Sequence, residues 1–185
     1  MSGANPREEL VDHLPAMRAF AISLTRNAAL ADDMVQDTLV KAWTNIEKFE
    51  VGSNMRAWLF TILRNTYYSS RRKSKREVAD VDGTFTENVA EKPAHDGHMQ
   101  LADFRKALGT LPVEQREALL LVGASGFSYE EAAKMCGVAV GTVKSRTNRA
   151  RAQLAEMLGH SDDGAMELTD DATMSVLSAS NVSSF

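Results

Sequence analysis

The sequence holds a single cysteine, Cys136. That excludes an internal disulfide and a zinc site built on cysteine, and it leaves Cys136 the role of a small buried apolar residue. No apolar run is long enough to span a bilayer, so no membrane partner is expected. The start, MSGANPREELVDHL, lacks the basic residues and apolar core of a signal peptide, so residence in the cytoplasm is expected. His13, His95, His98 and His160 show no metal-ligand spacing, and neither a glycine-rich phosphate loop nor a nucleophile motif is present. An enzyme is therefore not expected, nor a metal or other cofactor. Alternating β-branched residues are scarce, and there is no internal repeat. Acidic residues, finally, are missing from two segments, and that absence carries the most information.

Residues 55–76 hold Arg56, Arg64, Arg71, Arg72, Lys73, Lys75 and Arg76 without one acid. Residues 140–153 hold Lys144, Arg146, Arg149 and Arg151, again without one. Yet the whole chain is net acidic, at −4. Positive charge is gathered where it can meet phosphate and removed elsewhere. That pattern points to nucleic acid touched at two places.

Apolar periodicity predicts an all-α fold of two small helical domains. Leu10, Leu14, Met17, Ala21 and Leu24 form one helical stripe. Val35, Leu39, Ala42, Ile46 and Phe49 form a second. Asn27 and the Asp32–Asp33 pair suit the start of that second helix, where acids favour the dipole. A third run, 54–72, contains Trp58, Leu59, Ile62, Leu63, Thr66 and Tyr67. These helices place a first domain at 8–76. Residues 77–98 are acidic, with few large apolar side chains, and read as a linker. A second domain, 99–159, opens with Leu101, Phe104 and Leu108 on one face; Pro112 suits a first helical turn, and Ala118, Leu119 and Val122 follow. The stretch 160–185 is an acidic, serine-rich tail without Lys or Arg, expected to be disordered.

Residues 128–154, SYEEAAKMCGVAVGTVKSRTNRARAQL, have helix-turn-helix form. Ser128 and Glu131 have capping-box spacing. Ala133 is small where two helices must approach, and Gly137 can take the left-handed turn between them. Val143, Ala150 and Leu154 mark a buried stripe. Lys144, Ser145, Asn148 and Arg149 fall on the opposite side, where Arg and Lys can bond guanine edges in a major groove. Arg146 and Arg151 are better placed for phosphates. The same cations would also suit a solvated face on an ordinary helical hairpin. The first basic segment interleaves Trp58, Phe60, Tyr67 and Tyr68 with its cations, which suits unpaired bases. Read alone, composition favours Trp58 as a core residue.

Taken together, these motifs resemble the extracytoplasmic-function (ECF) class of bacterial RNA polymerase sigma factors, over most of 10–158. ADDMVQDTLVKAW, 31–43, is similar to sigma region 2.2, and RAWLFTILRN, 56–65, to regions 2.3 and 2.4. LPVEQREALLLVGASGFSYEEAA followed by GTVKSRTNRAR is similar to region 4. The wording of GASGFSYEEAA, and of KREVADVDG after the third helix, further resembles the general-stress-response subgroup. The resemblance implies that Asp33, Gln36 and Asp37 bind the clamp helices of the polymerase β′ subunit, a face that spacing alone would call solvated. It implies a −10 site, in which the loop 49–54 captures a flipped base, Trp58 and Asn65 lie beside the melted strand, and Arg71 and Arg72 follow its backbone. Lys144, Ser145, Asn148 and Arg149 match −35 reading positions, for a GGAA-type element, with Asn148 at a variable one. Thr147 stands where a larger apolar residue is usual. The implied partners are core polymerase (β′ clamp helices and β flap), promoter DNA and an anti-sigma factor. The linker matches the segment threaded through the RNA exit path.

Two other readings compete. A sigma-like decoy that sequesters an anti-sigma factor need not keep basic reading residues, and this chain keeps them. A free-standing helix-turn-helix repressor leaves 31–43 and the aromatic-basic helix unexplained.

Overall fold

A break at His13 divides what the apolar spacing joins. In the computed structural model, which describes residues 6–79 and 97–159, helix α1 (Pro6–Asp12) stops one residue short of α2 (Leu14–Thr25). Pro15 stands in the first turn of α2, where its missing N–H costs nothing. Leu10 and, from α2, Met17, Phe20, Ala21 and Leu24 are buried, whereas Leu14 is only half-buried. Arg26 closes α2 in the left-handed conformation, φ 58°, its N–H donating to the Ile22 carbonyl.

Asn27 caps α3 (Ala28–Thr44), its side-chain oxygen accepting from the Leu30 N–H at 3.0 Å. The acidic pair therefore lies a turn inside the helix, and the first turn holds no acid. Here the expectation is corrected for the acids, since Asp32 and Asp33 are the fifth and sixth residues of the helix, while Asn27 holds the predicted place at its start. Ala31, Met34, Val35, Thr38 and Ala42 form the buried face of α3. Leu39 is half-buried, and the helix ends at Thr44, so the second predicted stripe is also interrupted. A single 3-10 turn (Ile46–Lys48) follows, then Phe49, buried in extended backbone. Helix α4 (Met55–Ala79) packs on α2 and α3 and buries Met55, Leu59, Phe60, Leu63, Thr66 and Tyr67. Phe20 and Phe60 meet at its centre, ring centroids 5.1 Å apart.

The described residues fall into two compact units, 6–79 and 97–159. In the second, α5 (Gly97–Thr110) precedes α6 (Val113–Leu119), with Pro112 at its cap. Leu108 is buried and Leu101 and Phe104 half-buried. A π-turn (Leu120–Ala124) widens the end of α6, closed by Ser125 N–H donating to the Leu120 carbonyl at 2.8 Å. The extra residue brings Leu120, Leu121 and Ala124 into the core and leaves Val122 half-exposed, which corrects its predicted place. Helices α7 (Tyr129–Cys136) and α8 (Val140–Met157) complete the unit, α8 packing on α5, α6 and α7. Cys136 is buried, as expected of it. Helix α4 runs to Ala79 and α5 starts at Gly97, so both ends of the acidic stretch are helical. The rest of the predicted linker, and the predicted tail, lie outside the described residues.

Candidate nucleic-acid interface

The second unit presents one helix face. Ser128 accepts from the Glu131 N–H at 3.1 Å, and the Glu131 carboxylate accepts from the Ser128 N–H at 2.9 Å. This reciprocal pair fixes the first turn of α7. Gly137 then takes the left-handed conformation, φ 66°, and Val138 N–H donates to the Ala133 carbonyl at 3.1 Å. Only a glycine enters that turn without strain. It redirects the chain into α8, where Val143, Thr147, Ala150 and Leu154 are buried. At 100° per residue, Ser145 lies at the centre of the opposite face, flanked by Asn148 and Arg149, with Lys144 farther round. Lys144, Asn148 and Arg149 are exposed, and Ser145, Arg146 and Arg151 half-buried. The Lys144 ammonium sits over the Tyr129 ring, 5.5 Å from its centroid.

In the first unit the loop after Phe49 turns on Gly52, φ 91°, and Asn54 caps α4 by accepting from the Ala57 N–H at 3.1 Å. Glu50 to Asn54 are exposed, and Val51 stands 80 % exposed at the tip. Phe49 anchors the loop against Trp58, ring centroids 5.3 Å apart. Trp58 is therefore half core and half surface. Its other side lines an open groove of about 320 Å³, with Ile62, Asn65, Thr66 and Ser69 along the same helix. The facing wall is Lys41, Asn45 and Lys48. Of the −10 residues singled out in the sequence, Trp58 and Asn65 thus share one groove. Arg71 and Arg72 do not line it; they are exposed farther along α4, Arg72 donating to Ser69 Oγ at 3.2 Å.

The facing wall escaped the sequence reading. Lys41 is on α3 and Lys48 in the 3-10 turn that follows it, and Glu47 and Glu50 beside Lys48 hide it from any search for acid-free runs. Lys41 Nζ donates to Thr66 Oγ1 at 2.9 Å, joining α3 to α4 across the groove floor.

Asp33, Gln36 and Asp37 are exposed together on the face of α3 turned from the core. Leu30, Val40 and Trp43 share that exposed surface, an apolar component the sequence reading missed. Arg18 donates to both Asp32 carboxylate oxygens, at 2.6 and 3.3 Å. That hydrogen bond raises the Arg18 pKa above its ordinary value. It also withdraws Asp32 from the neighbouring acids, and Arg7 covers the Trp43 ring at 4.8 Å.

Comparison with known proteins agrees with this division. Residues 10–77 match the model of Sigma-70 region 2, and residues 101–154 that of Sigma-70 region 4. The chain is 51% identical over 175 residues to the ECF RNA polymerase sigma factor EcfG of Rhodopseudomonas palustris, covering 95% of this chain and 96% of the relative. It is 34% identical over 154 residues to the ECF RNA polymerase sigma factor SigM of Mycobacterium tuberculosis, covering 82% and 76%. The co-crystal structure of the sigma factor RpoE with the anti-sigma factor NepR from Bartonella quintana contains a chain 57% identical, with a TM-score of 0.77, covering 84% of this chain and 97% of that one. A region 2 unit followed by a region 4 unit, with 96% of the EcfG relative and 76% of the SigM relative covered, places this chain in the family of ECF RNA polymerase sigma factors.

Proposed function

We propose that the chain works as a cytoplasmic promoter-selecting subunit of a general stress response, with its contacts divided among named surfaces. Residues 8–76 bind core polymerase through Asp33, Gln36 and Asp37, with Val40 as the apolar centre of that face. The same domain opens the −10 element, the loop 49–54 capturing a flipped base, Trp58 and Asn65 lying beside the melted strand, and Arg71 and Arg72 following its backbone. Residues 99–159 read the −35 element through Lys144, Ser145, Asn148 and Arg149, with Arg146 and Arg151 on phosphates. Residues 77–98 connect the two, and 160–185 form a tail. An anti-sigma factor silences the protein, a reading drawn from the RpoE–NepR complex. Polymerase forms the bonds; this chain only binds.

The observation that carries the reading is the division of α8 into a buried stripe and a basic outer face. A helix that hides Val143, Thr147, Ala150 and Leu154 can offer only the other side to a groove. The test is transcription by reconstituted holoenzyme on matched and mismatched −35 elements. Arg149→Ala should cost about 1–3 kcal/mol on the matched element and lose selectivity, as for a bidentate guanine contact. Arg151→Ala should weaken both elements alike. Equal loss on both elements by Arg149→Ala would remove it from the reading set.

A further inference from the structure

We infer that Tyr129 is a positioning residue for promoter reading: its ring holds the Lys144 ammonium at the edge of the recognition face and thereby sets the base pair that Lys144 reads. The inference rests on the reading above, in which Lys144 contacts a base of the −35 element.

Lys144 directly follows Val143 of the buried stripe, so it leaves α8 on the flank of the exposed face and not at its centre, which Ser145 holds. A lysine ends a flexible four-carbon stem in a point charge that carries only donors. From a flank, such a stem can reach phosphate, solvent or more than one base. An ammonium that reaches them all selects none of them. Confining it to one place costs side-chain freedom, unless the free protein already restrains it.

The free protein does restrain it. Tyr129 is the first residue of α7 and is half-buried, and Lys144 Nζ lies 5.5 Å from its ring centroid. That is within the distance at which the negative face of a ring attracts a cation. Among the described residues no carboxylate pairs with Lys144 and no acceptor takes a hydrogen bond from it, so the ring is its one hold. Asn148 and Arg149, also exposed, have no such hold among the described residues. The ring attracts the charge without consuming it. The N–H groups turned away from the ring stay available to the acceptors of a base edge. Tyr129 and Lys144 belong to different helices, joined through the turn at Gly137, so the contact is a product of the motif and not of either helix alone.

The test is transcription by reconstituted holoenzyme on −35 elements substituted at one position at a time, read as the ratio of matched to mismatched template. That ratio does not depend on the amount of active protein. Lys144→Met should lower it about fivefold or more at one position, the size of a base contact. Tyr129→Leu should lower it about two- to fivefold at the same position, the weight of a cation–ring contact at an exposed site. Tyr129→Phe, which keeps the ring, should leave it unchanged. The double variant Tyr129→Leu, Lys144→Met should fall no further than Lys144→Met alone. In the free chain, the methylene protons beside the Lys144 ammonium should carry the upfield shift of a ring current, kept in Tyr129→Phe and lost in Tyr129→Leu. Absence of that shift in the unsubstituted chain would overturn the inference even if Tyr129→Leu failed to fold. Losses that multiply in the double variant, or a Tyr129→Leu loss at a different position, would also overturn it. So would a loss in Tyr129→Phe as large as in Tyr129→Leu, which would place the role in the hydroxyl. Equal weakening on matched and mismatched templates by Lys144→Met would instead assign Lys144 to phosphate, and the reading of Lys144 would fall together with the inference.

Discussion

Two threonines, Thr38 and Thr147, are fully buried, one in each unit, and their hydroxyls fare differently. Thr38 Oγ1 donates to the Met34 carbonyl at 2.7 Å. Thr147 Oγ1, under the recognition helix, finds no partner among the described residues. A buried hydroxyl without a partner loses its hydration for nothing, at about 1–3 kcal/mol. Valine has nearly the same shape and no donor to satisfy. Thr147→Val should therefore stabilise the second unit by about 1 kcal/mol, whereas Thr38→Val should be less favourable by about that amount, because it also removes a hydrogen bond. Urea midpoints for the unit concerned give both values. A lower midpoint for Thr147→Val would mean that the hydroxyl is satisfied after all. The resemblance drew attention to Thr147 as undersized, but only the fold shows that its polar atom, and not merely its volume, is what sits badly.

At the scale of elements, legibility follows the range of the forces involved. Ser128, Glu131 and Gly137 act within a few residues of themselves, so their spacing sufficed to place the turn and both helices around it. The stripe Val143, Ala150 and Leu154 was legible for the same reason, since helix period and burial coincide there. The break at His13, the end of α3 before Phe49 and the π-turn at Leu120–Ala124 were not. The first did carry a signal, Pro15 two residues on, which the apolar stripe outweighed; the other two depend on packing, and the stripe runs through them without one. The groove was legible only on one side: Trp58 and Asn65 lie in an aromatic-basic run, whereas Lys41, Asn45 and Lys48 reach them only because α3 packs on α4. The capping box offers a test at this scale. Ser128→Ala removes the acceptor for the Glu131 N–H and should cost about 1 kcal/mol of stability. Ser128→Asp, which keeps an acceptor, should cost less. Helix α7 seats α8, so promoter selectivity should survive wherever folding does. Selectivity lost by Ser128→Ala at full folding, read by circular dichroism, would give Ser128 a direct role at DNA.

The whole molecule sets a further limit, through charge. The chain is net acidic, at −4, while the recognition helix offers four cations to DNA. Affinity rises with the number of phosphates neutralised, and two phosphate contacts, from Arg146 and Arg151, supply little of it; for two contacts a fourfold rise in salt weakens binding about tenfold further. The acids of 77–98 and 160–185 add repulsion to any duplex near them. Binding at the −35 element alone should therefore be weak at physiological salt, and the basic surface of the other unit adds to it only if both can engage the same promoter at once. Polymerase can supply that condition by holding the first unit through the exposed acids of α3, leaving both basic surfaces to the DNA. Arg18 neutralises Asp32, whereas Asp33 and Asp37 stand exposed beside Val40. Two measurements follow. The free chain should shift a promoter duplex only at low salt, and the holoenzyme should do so at physiological salt. Asp33→Lys with Asp37→Lys should abolish promoter-specific transcription while circular dichroism and low-salt duplex binding by the free chain remain unchanged. If the free chain instead bound its promoter as tightly and selectively as the holoenzyme, the polymerase face would have no work to do in recognition, and a repressor-like mode of binding would account for the basic helix.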